Sequence, residues 1–378
     1  MKNCHLIFLI PLILSGCRTE EEKEDKQVDS ADMSATAGNE SFKFYMGTYT
    51  GGESEGIYQY MLLPNGQMEK TGLLSRTENP SFLAMSSDKK YLLAVNETKE
   101  GSIESYAIEV DSLTLISERP SGGASPCYIS VNEQGYVLTA NYNGGNVGLF
   151  RLNAQGELSL PLDVQQHTGQ GATSRQDKPH AHFAKFVPNT QDVISVDLGT
   201  NELWFSQLDT TGQKLIPHQP QTLAMDAGAG PRHLAIHPKS GRIYVMNELN
   251  HTVSVLERDG TSYRIKTSYP SLPDASCEEC SGADIHISSD GRFLYTSIRG
   301  HNSISVFQIE EAGELVFVEN IGTRGESPRN FAISPDERFL VVANQHTNNL
   351  VSYRRDKTTG KLEFRASVAA PSPVAILF

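Results

Sequence analysis

Basic charge is what this chain has least of. Its 378 residues carry 32 Lys and Arg against 45 Asp and Glu, a formal net charge of −13. Nucleic-acid binding needs a basic face, so no nucleic-acid partner is expected. Tryptophan is nearly absent, with one residue, Trp204, and cysteine numbers five. CEEC at 277–280 has no second C-x-x-C to complete a zinc site. It reads as a local disulfide or a loop pair. No G-x-S-x-G is present, so no nucleophile elbow is predicted. The glycine-rich stretches TYTGGESEG and NYNGGN read as hairpin loops, without the strand-to-helix setting of a phosphate loop. Helical periodicity is nearly missing.

Long apolar runs are also missing, with one short exception. MKNCHLIFLIPLILSGC opens on a lysine followed by an apolar run too short to span a bilayer. It reads as a signal peptide over residues 1–16. LSGC at 14–17 resembles a bacterial lipobox, which would make Cys17 a lipidated new N-terminus; an ordinary secretion signal is the alternative. The charged stretch that follows reads as a disordered acidic tether over 17–41. The expectation is an exported protein on a bacterial cell-envelope membrane, touching that membrane through its anchor alone.

What the chain does have is repetition. NPSFLAMSSDKKYLLAVNE, SPCYISVNEQGYVLTANY, HAHFAKFVPNTQDVISVDLG, GPRHLAIHPKSGRIYVMNEL, SGADIHISSDGRFLYTSIRG and SPRNFAISPDERFLVVANQ begin at residues 79, 125, 180, 230, 281 and 327. Each is a short apolar strand, a polar turn and a second apolar strand. A third and a more variable fourth strand follow in most copies. Four short strands every 46–55 residues predict a β-propeller. SPVAILF at 372–378 looks like a lone first strand, and FKFYMGTYT with GIYQYMLL like the missing second and third. Joined, they close a ring and leave no free edge. The prediction is all-β: one seven-bladed propeller over 42–378, its four-stranded last blade shared by both termini.

Aligning the copies exposes a candidate site. Just after the start of the first strand come Ser81, Cys127, His182, Arg232, Ala283, Arg329 and Val374. The next column holds His233 and Asp284, and the end of the second strand holds Glu248 and Arg299. These columns lie at one end of the ring, because the two strands are antiparallel. His182, Arg232, Glu248, Arg299 and Arg329 should therefore share one mouth. In PHAH, period-two alternation would point His180 and His182 to one face, as metal ligands or beside a bound anion. Three arginines nearby would repel a divalent cation and suit a carboxylate or phosphate. An anion site without metal is the favoured reading; ion pairs tying blades together are the bland alternative.

The set MGTYTGGESEGIY, RQDKPHAHFAKF, VDLGTNELW, GPRHLAIHP, VMNEL, SGADIHISSDGRFLYTSIRGHNSI and SPRNFAISPDERFLVVANQ, in this order, resembles the seven-bladed lactonase propellers. That group includes cycloisomerase-type 6-phosphogluconolactonases and the carboxymuconate-lactonising enzyme. The resemblance implies catalytic His182 (or His180), Arg232, Glu248 and Arg299. It implies opening of a sugar δ-lactone, 6-phosphogluconolactone first, with no cofactor. His180, Arg329, His233 and Asp284 are expected to contact a small anionic substrate. His182 or Glu248 would be the base, Glu248 the poorer one between arginines. Two alternatives stay open: lactonising chemistry on another carboxylate, and a non-catalytic propeller that binds a glycan or protein.

Overall fold

The structure is a computed structural model, which describes residues 40–378 apart from 261, 274–276 and 278. The expected signal peptide, Cys17 and the tether over 17–41 lie outside the described residues, but for residues 40 and 41. Ser41–Phe378 form one compact unit.

Seven four-stranded antiparallel sheets make up this unit. The first strands of successive sheets touch one another in a closed circle, which places them around the central channel. Blade 1 starts with Leu83–Met85, blade 2 with Pro126–Val131 and blade 3 with Ala181–Phe186. Blades 4, 5 and 6 start with Pro231–Ile236, Ser281–Ile287 and Pro328–Ile333. Blade 7 is the split one: C-terminal Pro373–Leu377 pairs with N-terminal Phe42–Thr48, Tyr45 opposite Leu377 and Met46 opposite Ile376. The ring closes as the repeat predicts. Alternating apolar side chains fill the space between blades; Phe331, Tyr295 and Tyr353 are fully enclosed. Each such ring buried contributes about 1.5–3 kcal/mol.

The polar residue ending most second strands is a fastener. Asn96 donates to Thr77 Oγ1 at 2.7 Å, Asn141 to the Ser121 carbonyl at 3.1 Å and Asn344 to the Thr323 carbonyl at 3.0 Å. Each ties the loop entering a blade to that blade's second strand. Asp197 does this in blade 3 through His167, whose Nδ1 lies 2.8 Å from Oδ2. Trp204 stacks on that imidazole with ring centroids 4.2 Å apart. Blade 5 carries apolar Ile298 at this position, fully buried instead.

One irregularity recurs at the channel. Pairing of first and second strands skips a residue between Pro126 and Tyr128, Ala181 and Phe183, Pro231 and His233, and Pro328 and Asn330. The skipped residues are Cys127, His182, Arg232 and Arg329. Blade 5 skips both Ala283 and Asp284. A bulge frees one residue from the ladder and re-aims its side chain. The column that the repeats exposed is thus a column of bulges.

Candidate active site

Glu248 follows directly on the second strand of blade 4, Ile243–Asn247, and is buried. Its Oε2 lies 3.1 Å from Arg232 Nε and 2.9 Å from Arg299 Nη2. Its Oε1 accepts a 2.9 Å hydrogen bond from Arg175 Nη2. Three guanidiniums therefore share one carboxylate, leaving a local excess of positive charge on an acidic protein. Burial alone would push the Glu248 carboxyl up; Arg299, Arg232 and Arg175 outweigh it and hold it down at about 2.

Arg232 comes off its bulge with 1% of its surface exposed. Nη1 donates to the Ala283 carbonyl at 2.6 Å and lies 3.2 Å from His233 Nε2. Neighbours in a regular strand face opposite sides; the bulge lets Arg232 and His233 touch. Arg299 Nη2 also donates to the Gly282 carbonyl at 3.0 Å. Burial, then the charges of Arg329 and Arg299, weaken the hold of Arg232 on its proton, with Glu248 and Asp284 opposing them.

His182, on the blade 3 bulge, closes the group. Its ring stands edge-on to Tyr142 at 5.6 Å and to His233 at 5.2 Å. Burial, then Arg232, His233 and Arg329, keep its pKa well below 6.5, so it is neutral at pH 7. Three enclosed polar atoms here have no hydrogen-bond partner among the described residues: His182 Nδ1, Arg232 Nε and Arg299 Nε. Arg232 Nε is close enough to Glu248 for charge attraction but off the hydrogen-bonding axis. Buried polar groups are rarely left so. Three of these atoms gather on residues that the repeat alignment selected.

Across the mouth sits a second charged group. Arg329 Nη2 is 4.0 Å from Glu97 Oε2, and its guanidinium lies 5.4 Å from the centre of the Tyr49 ring. Glu97 Oε2 accepts from Tyr49 Oη at 2.8 Å and Ser81 Oγ at 2.5 Å. Arg299 and Arg329 line one open cavity of about 590 Å³, with Tyr49, Ser281, Asn302 and Gln345. That lies within the range of small-molecule sites, roughly 300–1,000 Å³.

The chain matches the profile of the family described as Lactonase, 7-bladed beta-propeller, over residues 43–378. It is 38% identical over 343 residues to the 6-phosphogluconolactonase of Bacillus subtilis, covering 88% of this chain and 97% of that one. A 6-phosphogluconolactonase of Formosa agariphila is 32% identical over 313 residues, covering 79% of this chain and 88% of that one. The solved structure of a Pseudomonas aeruginosa periplasmic gluconolactonase superposes with a TM-score of 0.85 at 29% identity, covering 89% of this chain and 98% of the other. This chain belongs to the lactonase seven-bladed β-propeller family.

Within that family frame, some residues fall elsewhere than the sequence suggests. His180 precedes the blade 3 strand, so alternation does not govern it. Its Nδ1 lies 3.1 Å from the Tyr142 carbonyl and its Nε2 3.2 Å from Asp177 Oδ1, and its ring stacks on Tyr142. Both nitrogens thus have polar partners, and its ring shares Tyr142 with His182. His233 and Asp284 form a layer beneath Arg232. His233 Nδ1 is 2.8 Å from Asp284 Oδ1; Asp284 Oδ2 accepts from Asn330 Nδ2 at 2.6 Å and lies 3.0 Å from His286 Nε2. With Nδ1 protonated toward Asp284, Nε2 of His233 accepts from Arg232. Burial and Arg232 hold the His233 pKa down at about 4, against the opposing pull of Asp284. Below them Phe82, Tyr128 and Phe183 pack ring to ring at 4.2 and 4.3 Å.

Arg175 is missed by the repeat argument, whereas the column that holds Glu248 and Arg299 also contains Glu97 and Tyr49, whose pairing the sequence does not reveal. Arg175 has no counterpart in other blades. The longest spacing between copies, 55 residues from 125 to 180, is the signal that extra chain was inserted there. A second constellation also escapes the sequence: Ser195 Oγ lies 3.3 Å from His167 Nε2, and His167 is paired with Asp197. It has the connectivity of a nucleophilic triad. All three residues are buried, and Asp197 Oδ1 accepts the backbone N–H groups of His180 and Thr200, both at 2.8 Å. It is the blade fastener, out of a substrate's reach. Cys277 and Cys280 are disulfide-bonded, with Cα atoms 5.4 Å apart.

Proposed function

We propose that this carboxylic-ester hydrolase of the lactonase family opens a sugar δ-lactone by water at the Arg232–Glu248–Arg299 mouth, with 6-phosphogluconolactone the substrate. The observation that carries the reading is the trio of unpartnered, enclosed atoms on His182, Arg232 and Arg299. Ester opening needs a held substrate, donors for the developing oxyanion and a base for water. Arg232 and Arg299 supply charged donors beside one another. Neutral His182 takes a proton from water as the water oxygen attacks the carbonyl carbon. The ring C–O bond then breaks, and the departing oxygen receives that proton from His182. Glu248, ionised at neutral pH, is the weaker base. It keeps the two guanidiniums in place. Arg329, whose guanidinium makes no hydrogen bond among the described residues, lines a cavity together with Arg299 and would take the phosphate.

The names of the Bacillus subtilis and Formosa agariphila relatives support a phosphorylated substrate. A second reading, unphosphorylated gluconolactone, rests on the signal-like N-terminus and on the likeness to the Pseudomonas aeruginosa periplasmic gluconolactonase. Export with a lipid on Cys17 belongs to that reading, since a sugar phosphate is an intracellular metabolite. The carboxylic acid formed is ionised at neutral pH, so turnover releases a proton and can be followed in weak buffer. Faster proton release from the phosphorylated lactone supports the first reading, and equal or greater rates on gluconolactone the second. No rate above spontaneous opening on either contradicts both.

A further inference from the structure

Between blades 2 and 3 the chain runs from His167 to His180 without a strand, as a strap. It is firmly fastened. His167 is paired with Asp197, and the His180 N–H donates to the other oxygen of Asp197. In the middle, fully buried Gln176 donates to the Leu198 carbonyl at 2.9 Å and to Asn201 Oδ1 at 3.0 Å. Its own oxygen accepts the N–H groups of Ala172 and Thr173 at 3.1 and 3.3 Å. Gly199 lets the strap close down, because a Cβ there would stand 1.8 Å from the Lys178 carbonyl oxygen.

This anchoring fixes the residue next to Gln176. Arg175 reaches over the mouth and donates to Glu248 Oε1 at 2.9 Å and to Tyr142 Oη at 3.3 Å. Of the three arginines around Glu248, only Arg175 makes an aligned hydrogen bond to it; Arg232 and Arg299 pair with it by charge and donate their hydrogen bonds to the Ala283 and Gly282 carbonyls. The Arg175 side chain is 55% exposed and the Glu248 side chain 5%. An ion pair with one exposed partner adds little to stability. Its consequence is geometric: it sets the rotation of the carboxylate against which two catalytic guanidiniums are aligned.

We propose that Arg175 is a positioning residue of the lactonase site, acting from the strap through Glu248 on Arg232 and Arg299. The inference rests on the lactone-opening reading above. Arg175→Met, Arg175→Lys and Gln176→Ala would be purified with the wild-type protein, and kcat and KM measured separately on the better of the two lactones, with Tm for each variant. Losing one charge-assisted hydrogen bond that aligns the site lowers kcat about 10- to 100-fold. KM stays within about threefold and Tm is unchanged for Arg175→Met. Arg175→Lys recovers part of kcat, and Gln176→Ala, which frees the strap, reproduces the loss. Wild-type kcat in Arg175→Met overturns the inference. So does a rise in KM alone, which would mean that Arg175 touches substrate directly. An inactive wild-type protein overturns the lactone reading and this inference with it, whereas an active wild type beside an unimpaired Arg175→Met overturns the inference only.

Discussion

Glu248→Gln separates the charge of the site from its shape. Glutamine keeps the outline and one acceptor oxygen but removes the charge between Arg232, Arg299 and Arg175. The fall of the carboxyl from its ordinary 4.5 to about 2 corresponds to about 3 kcal/mol of folding stability at neutral pH. Leaving buried guanidiniums without their counter-ion costs about 3–5 kcal/mol by the general behaviour of such pairs, so the two routes agree. The sign follows from the depressed value. The contribution is complete above 4.5, the unfolded value, and is lost as pH falls from 4.5 towards about 2. Urea unfolding of wild type and Glu248→Gln at pH 7, 5 and 3.5 should show a gap of about 3 kcal/mol at the two higher values. At pH 3.5 the gap should shrink by about 1 kcal/mol or more. A gap independent of pH, or no destabilisation at pH 7, would refute the charge account of this mouth.

His182→Gln should lower kcat about 100- to 10,000-fold, the usual worth of a general base. In the wild type the acid limb of kcat/KM against pH should lie well below 6.5, where His182 of the free enzyme gains its proton; a limb at or above 6.5 would argue against His182 as base. Arg329→Ala should raise KM for the phosphorylated lactone about tenfold or more and leave gluconolactone nearly unaffected, which parallel Michaelis curves would reveal. Asp197→Ala removes the acceptor of His167, His180 and Thr200 and should cost about 2–4 kcal/mol in urea unfolding. An undiminished midpoint would contradict its role as fastener.

The sequence shows the propeller plainly because each blade repeats the same strand and turn chemistry. Chain closure was legible too, since the orphan strand at 372–378 and the strands within 42–63 complete each other. Repetition also exposed His182, Arg232, Glu248 and Arg299, as polar and charged residues gathered in two aligned columns at one end of the ring. What repetition hides is whatever occurs once. Arg175 and Gln176 sit in an insertion with no copy to align. The bulges at His182 and Arg232 live in the hydrogen-bond register, which residue type does not encode. His180 lies one residue ahead of its strand, where alternation does not apply. The recurrent Asn or Asp after strand two was visible, but not its partners, which come from loops distant in sequence such as His167 and Thr77.

The most direct test of the central claim is the rate of lactone opening by wild type and Arg232→Met, corrected for spontaneous opening, with folding checked by circular dichroism and Tm. The account predicts measurable turnover on at least one of the two sugar lactones. It predicts a fall in kcat of about 100-fold or more in the variant, the usual cost of losing an oxyanion donor. Turnover in folded Arg232→Met equal to wild type would contradict it.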